Sequence, residues 1–299
     1  MQKGNNSVVN KCIERWKTPD QRTEHFARIY NEWIEHIPEK TCLTVNKLLE
    51  EFYYYPHEVV NVLLKELHGR LLRSSSVNFD NTIYTLIKSK TGTINSSYDY
   101  WSEYRYLNGI SKHVCIGDIS RIRDEQWEFI ENIVFIDDCS GSGKTFTNYI
   151  DFVIDLVRSK HIYLIAIHVM EEAVRKIGEY ADANNLKIDV ICKCTTQKAF
   201  DNPCFLSDPE IKDDFIHTSE ILNIPRIDIL GRFNSESICA FYNNTPNNTL
   251  GIFRYDTETL KSPFPRINDL KPVWFTGSRE KKKRGMQNLH SKIERNRYD

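Results

Sequence analysis

The segment that most limits the fold is Ile133-Val134-Phe135-Ile136-Asp137-Asp138, which runs on into Cys139-Ser140-Gly141-Ser142-Gly143-Lys144-Thr145. Four consecutive apolar residues leave no polar face, so they read as a strand covered on both sides, as in a parallel sheet. Two carboxylates close the strand. Small residues then turn the chain into a helix that begins near Lys144 and carries Phe146, Ile150, Val153, Ile154 and Val157 at helical spacing.

The same alternation extends in both directions. Downstream, the pattern predicts a strand over 162–169, a helix over 171–183 and a strand over 186–192. Upstream lie an apolar run at 83–87, a polar loop at 89–97, an aromatic helix over 98–107, a strand over 113–116 and the strand over 131–136. Strands alternating with helices predict an α/β fold with a doubly wound, mostly parallel sheet. Beyond residue 200 the alternation weakens. Residues 238–242 and 250–253 read as two strands joined by Asn243-Asn244-Thr245-Pro246-Asn247-Asn248.

The beginning of the chain has a different period. Thr18-Pro19-Asp20 reads as a cap and first turn before Phe26, Ile29, Tyr30, Trp33 and Ile34. Thr44 reads as the cap of a helix holding Val45, Leu48, Leu49 and Phe52. Pro56 opens another, with Val59, Val60, Leu63, Leu64, Leu67 and Leu71 on one side. The expected organisation is an N-terminal helical subdomain over 1–78 and an α/β domain with a C-terminal extension over 79–299. Basic residues do not gather on one of these helices, which favours a structural role over a DNA-binding one.

Lys and Arg number 40 against 41 Asp and Glu, so nothing pulls the whole chain toward nucleic acid or a membrane. Any such contact must be local. The densest basic run, Arg279-Glu280-Lys281-Lys282-Lys283-Arg284, is either a nucleic-acid contact or a solvated tail. The eight cysteines include no Cys-x-x-Cys pair, and the nine histidines show no metal-ligand spacing. They read as reduced thiols and ordinary imidazoles, with no metal site built from protein alone. The polar start shows no secretory signal, and no apolar run approaches the roughly 20 residues of a membrane span, so a cytoplasmic protein is expected. The aromatic stripe of Tyr98, Tyr100, Trp101, Tyr104 and Tyr106 serves a core or a subunit contact, which leaves a homo-oligomer open.

In an open α/β sheet, ligands bind at the carboxyl ends of strands. Gly141 and Gly143 let backbone N–H groups approach an anion, and the following helix presents its positive end to the same anion. Ser142 and Thr145 add hydroxyl donors. Asp137 and Asp138 suit a polyol, because ionised carboxylates accept hydrogen bonds from hydroxyls. A Walker A loop would need Gly at position 138, where Asp138 stands and would repel phosphate oxygens. A plain strand-turn-helix with a solvated acid pair leaves the Gly-Ser-Gly-Lys-Thr run without a reason.

With its apolar strand, acid pair and Gly-Lys-Thr turn, the segment closely resembles the phosphoribosyl pyrophosphate loop of type I phosphoribosyltransferases. The resemblance implies that Asp137 and Asp138 form the catalytic pair that holds the ribose hydroxyls. It implies that Cys139, Ser140, Gly141, Ser142, Gly143, Lys144 and Thr145 hold the 5′-phosphate. It also implies phosphoribosyl pyrophosphate as ligand, with Mg²⁺ carried by that substrate. Gly141 stands where purine-salvage members often carry an aspartate base, so the chain departs from the purine-type pattern there. Lys88, Ser89, Lys90, Thr91 and Gly92 occupy the place of the family's pyrophosphate-binding loop, and the plain alternative is a solvated loop.

Asn243-Asn244-Thr245-Pro246-Asn247-Asn248-Thr249-Leu250 and Pro263-Phe264-Pro265-Arg266 resemble the late motifs of a divergent bacterial branch associated with conflict systems, antiphage retron loci among them. That resemblance implies an effector role, with a reverse transcriptase, its RNA–DNA hybrid and a winged-helix protein as partners. Two other functional classes stay open on the residues alone: a non-catalytic phosphoribose or nucleotide sensor, and a nucleic-acid-binding scaffold.

Overall fold

The computed structural model describes residues 2–266, apart from 18, 75, 90–93, 207 and 209. Lys90, Thr91, Gly92 and the basic run at 279–284 lie outside the described residues, as does Thr18. The chain opens with helices α1 (Gln2–Trp16), α2 (Phe26–Ile34) and α3 (Glu39–Glu50), then strand β1 (Tyr53–Tyr55) and helix α4 (His57–Leu71). The main α/β alternation follows: β2 (Thr82–Leu86), α5 (Ser96–Leu107), β3 (Cys115–Ile116), the short α6 (Asp124–Trp127), β4 (Asn132–Ser140), α7 (Lys144–Phe152) and α8 (Ile154–Val157). It continues with β5 (His161–Met170), α9 (Glu171–Asn184) and β6 (Lys187–Thr196). The last part holds α10 (Pro203–Leu206), α11 (Glu210–Ile221), α12 (Arg226–Ile229), β7 (Cys239–Phe241) and α13 (Gly251–Arg254).

Five strands form one sheet in the order β3-β2-β4-β5-β6, and every neighbouring pair is parallel. Strand β4 sits at its centre, and Ile133, Val134, Phe135 and Ile136 are fully buried, as an apolar run without polar alternation requires. Period-2 alternation sends successive side chains to opposite faces. Ile83, Ile133, Phe135, Ile162 and Leu164 pack with Phe146 and Ile150 of α7 and Ile177 of α9. Tyr84, Val134, Ile136, Tyr163 and Ile165 pack with Leu64 and Leu67 of α4 and Tyr100 and Tyr104 of α5. Helices cover both faces, so the sheet is doubly wound, as expected.

A second, two-stranded sheet pairs β1 with β7 in parallel, Tyr53 to Cys239 and Tyr55 to Phe241. Around it the early helices and the late segment share one core: Phe26, Trp33, Leu49 and Phe52 meet Phe215, Ile252, Phe253 and Phe264. The Phe52 and Phe264 rings stack at 4.7 Å. Helix α4 instead contributes to the core on one face of the large sheet.

Three local readings need correction. Helix α2 starts at Phe26, because the Asp20 carboxylate organises a preceding turn: it accepts from the Arg22 N–H and the Thr23 hydroxyl, and from the Tyr54 hydroxyl as well. Thr44 lies inside α3, not at its cap; Pro38 fills that position with an extended backbone, and Glu39 opens the helix beside its positive end. Residues 250–253 are not a strand. Thr249 makes one isolated bridge with Ser237, and the chain then closes a helical turn at α13, where Arg254 bonds back to the Thr249 carbonyl and to Asp228.

Candidate active site

The strand order places a switch point between β2 and β4: the chain passes from β2 outward to β3, then returns across β2 to β4. Loops leaving the carboxyl ends of such a pair diverge and open a crevice. The start of α5 is fastened across this opening. Ser97 Oγ donates to the Ile136 carbonyl (2.5 Å) and accepts from the Ile87 N–H (2.9 Å), while Asn95 Nδ2 donates to the Ile87 carbonyl (2.8 Å). Next to it, Ser96 Oγ donates to Asp138 Oδ1 at 3.0 Å. Ser96 is a site residue that the sequence reading passed over as part of a polar loop.

Strand β4 extends through Ser140, so Asp137 and Asp138 are strand residues at its carboxyl end. Each is only 8% exposed. The Asp138 N–H donates to Asp137 Oδ1 (3.0 Å), and the Cys139 N–H donates to Asp138 Oδ1 (2.8 Å). Burial, and after it the adjacent Asp138 charge, pushes the Asp137 carboxyl well above the ordinary carboxylate range. Asp99 on α5 is more exposed, and its carboxyl is raised by partial burial and then by the Asp138 charge. Tyr100 is fully buried behind them, and its hydroxyl donates to Asn243 Oδ1 (3.1 Å).

Past Ser140 the backbone turns sharply. Gly143 caps α7 with φ +73°, a left-handed conformation that favours glycine. A Cβ there would also press on Ile177 Cγ1 at 3.1 Å. No side chain caps α7, and among the described residues no hydrogen bond from the N–H of Gly141, Ser142 or Gly143 is found. These donors, with the first turn of α7, form a backbone concavity suited to an anion. Lys144 and Thr145 are exposed. The Lys144 ammonium lies 4.5 Å from the centre of the Phe233 ring. Cys139 points the other way, with its Sγ 4.0 Å from that of Cys239 on β7. The contact with Cys239, and then burial, raises its pKa, so it is no ready nucleophile.

Of the loop after β2, Lys88 ion-pairs with Asp118 at 2.7 Å. Asp118 also accepts from the Ser120 hydroxyl and lies near Arg121. Lys88, expected in the pyrophosphate-binding loop, therefore carries a carboxylate partner. The motif at 243–250 arrives from the small sheet and is tightly held. Arg22 donates to the Phe241 carbonyl (2.5 Å), Thr245 Oγ1 (2.9 Å) and the Pro265 carbonyl (2.9 Å). Arg266 donates to the Thr245 carbonyl, and Thr249 Oγ1 to the Cys239 carbonyl. This brings Asn243 to Tyr100 and Asn248 onto Gly141. The position of the motif against the loop after β4 has no signal in the sequence.

A family model described as PRTase-CE matches residues 30–266. Among solved structures, the chain is similar to Helicobacter pylori Xanthine-Guanine-Hypoxanthine Phosphoribosyltransferase, with 12% identity, 48% of this chain and 84% of that chain covered, and a TM-score of 0.32. No curated protein matches the chain.

Proposed function

The chain belongs to the PRTase-CE family, which is phosphoribosyltransferase-like, and on that premise we propose that it binds phosphoribosyl pyrophosphate, or a related ribose phosphate, and transfers or hydrolyses the phosphoribosyl group. The observation that carries this reading is the junction of β4 and α7. Two nearly buried carboxylates stand beside a turn whose backbone donors have no partner among the described residues, at the switch point of a parallel sheet. Asp137 and Asp138 orient the ribose by accepting from its hydroxyls. The turn from Cys139 through Ser140, Gly141, Ser142 and Gly143 to Lys144 and Thr145 grips the 5′-phosphate. Lys88 and Ser89, with Lys90, Thr91 and Gly92, receive the pyrophosphate.

The buried carboxylates hold negative charge near the sugar, where positive charge develops as pyrophosphate departs from the anomeric carbon through an oxocarbenium-like state. Binding a ligand whose hydroxyls donate to Asp137 stabilises its ionised form, which burial alone disfavours. The donor set fits a substrate-borne Mg²⁺. Among the described residues no group of three or more His, Cys, Asp or Glu could cage a metal, whereas one or two carboxylates beside substrate phosphates are what Mg²⁺ ordinarily uses. When bound, it neutralises phosphate charge.

The wider setting in this proposal is an effector of an antiphage defence system acting in the cytoplasm. Its partners there are a reverse transcriptase with its RNA–DNA hybrid and a winged-helix protein, as the motifs at 243–250 and 263–266 imply. Among the described residues no helix is long and apolar enough to cross a membrane.

The test is calorimetric titration with phosphoribosyl pyrophosphate and Mg²⁺. The double variant Asp137→Asn, Asp138→Asn keeps the shape and loses charge-assisted hydrogen bonds of about 1.5–3 kcal/mol each. Affinity should fall at least about a hundredfold, with the folded state retained by circular dichroism. Unchanged affinity would sink the ribose assignment. Release of pyrophosphate by the wild-type chain separates an enzyme from a sensor.

A further inference from the structure

Gly141 and Gly143 are glycines for different reasons. Gly143 needs its positive φ, whereas Gly141 has none. What excludes a side chain at 141 is Asn248: an ideal Cβ on Gly141 would lie 2.2 Å from Asn248 Nδ2, 2.5 Å from Cγ and 2.9 Å from Cβ. Those distances include the root of the asparagine side chain as well as its end, so a small rotation does not relieve them. The space beside the turn is filled from the other sheet.

Asn248 is fixed in that place. Its Nδ2 donates to Ser235 Oγ (3.1 Å). Its carbonyl accepts from the Ser237 N–H (3.2 Å) and from Ser235 Oγ (2.9 Å). The same carbonyl packs against Gly231, where a Cβ would come within 2.0 Å of it. Gly231 has φ +71°, and Phe233, Asn234 and Glu236 all have positive φ as well. Backbone held in sparsely populated conformations persists only where its surroundings enforce it. Here the enforced segment is the one that holds Asn248 against the turn. Nδ2 is the side-chain atom nearest the turn, and with one of its N–H groups given to Ser235 Oγ the other is left for a ligand.

We infer that Asn248 is a ligand-contacting, specificity-determining residue of this site: contributed by the small sheet, it forms the wall of the anion-binding turn at Gly141 and presents a neutral amide to the bound ribose phosphate. An anion held by the N–H groups of residues 141–143 lies within reach of that amide. A neutral amide donates a hydrogen bond to an anion, adds no charge of its own and takes no proton at neutral pH. The wall therefore suits a ribose phosphate and supplies no carboxylate base at this position.

This inference rests on the phosphoribose reading, and the experiment separates the two. The full chain is titrated with phosphoribosyl pyrophosphate and Mg²⁺, and in parallel with inorganic phosphate, between pH 4.5 and pH 8. Asn248→Asp keeps the shape and places a carboxylate beside the anion. Relative to wild type, its affinity should be at least tenfold weaker at pH 8. The gap should narrow at the low end of that range, as pH approaches the ordinary Asp value near 4, because the protonated fraction of the carboxyl no longer repels phosphate. A second pair of variants covers misfolding of the first. Gly141→Ala should weaken binding at least tenfold, whereas in an Asn248→Gly background, which itself binds more weakly than wild type, the same change should cost little more, since the added methyl then has room. A gap that is absent at pH 8, or equal at all pH values, overturns the inference, as does simple additivity in the Gly141–Asn248 pair. Wild type that binds inorganic phosphate but not phosphoribosyl pyrophosphate overturns the functional reading and leaves the wall to be judged on phosphate. Wild type that binds neither overturns both.

Discussion

The two sheets are assembled from different ranges of the chain. In the five-stranded sheet, β4, α7, α8, β5, α9 and β6 follow one another, and each strand lies beside the next. In the two-stranded sheet, Tyr53–Tyr55 pair with Cys239–Phe241 across most of the chain. The first arrangement makes the turn after β4; the second brings Asn248 to it. A local unit can thus supply an anion-binding turn, while the wall of the site depends on a long-range closure.

The largest expected effect concerns what ties the sheets together. His168 on β5 is fully buried, with Nδ1 2.9 Å from the Tyr55 hydroxyl on β1 and Nε2 2.9 Å from Thr196 Oγ1 on β6. Burial lowers its pKa to about 4. A histidine depressed in the folded state contributes stability that is fully present above its unfolded value, about 6.5, and is lost as pH falls toward the folded one. Wild type should lose about 3 kcal/mol between pH 7 and pH 4 from this group. Urea unfolding of His168→Gln, which cannot ionise, should show a pH dependence smaller by that amount. Equal slopes would mean that the imidazole is not held neutral between the sheets.

Second in size is the clamp on the small sheet. Replacing Arg22 with Met removes the donor for the Phe241 and Pro265 carbonyls and Thr245 Oγ1. Charge-assisted bonds of this kind are each worth about 1.5–3 kcal/mol. Partial exposure lets water satisfy some acceptors, so about 2 kcal/mol of stability should be lost. If unfolding stability is unchanged, the motif at 243–250 is not positioned by Arg22.

The contrast also explains how much was legible in the sequence. The Ile133 to Ile136 run announced a covered central strand, and the helix after it followed from 3.6-residue spacing, because both are local patterns. The strand at Cys239–Phe241 was read within 238–242, but Tyr53–Tyr55 is three residues long, too short for a period to show, and only its pairing with Cys239–Phe241 makes it a strand. Leu250 and Phe253 looked like strand residues by apolar content, but the Tyr255 N–H reaches back to the Gly251 carbonyl and closes a helical turn. At the site, Asp137, Asp138 and the glycines were visible as a contiguous motif. The Lys88–Asp118 pair, the reach of Ser96 to Asp138 and the seat of Asn248 were not, because each joins residues whose separation carries no local signal.

A third, smaller effect is confined to the β4 side. Asp138→Gly removes the acceptor of the Ser96 hydroxyl and the Cys139 N–H, and it loosens the chain by about 0.5–1 kcal/mol. Affinity for phosphoribosyl pyrophosphate should fall about tenfold, or about 1.4 kcal/mol. If the turn were a nucleotide-triphosphate loop, which wants glycine at that position, ATP binding would instead hold or improve.

The smallest effect is expected at Lys144, and it sharpens the same distinction. In a Walker A loop the lysine reaches the β- and γ-phosphates, and its loss is severe. Here the Lys144 ammonium lies over the Phe233 ring, itself half exposed and held at φ 59°. An exposed cation–π contact is worth about 0.5–1 kcal/mol, so the charge is partly engaged away from the turn. The grip on phosphate then falls to the backbone donors of residues 141–143 and the start of α7, which a side-chain truncation leaves in place. Lys144→Ala should therefore weaken phosphoribosyl pyrophosphate binding by roughly threefold or less, about 0.7 kcal/mol, and so cost less than Asp138→Gly. Calorimetric titration of both variants with phosphoribosyl pyrophosphate and with ATP measures the order. Were Lys144→Ala the more damaging of the two and ATP the tighter ligand, the turn would be a nucleotide-triphosphate loop, and the acid pair would need another explanation.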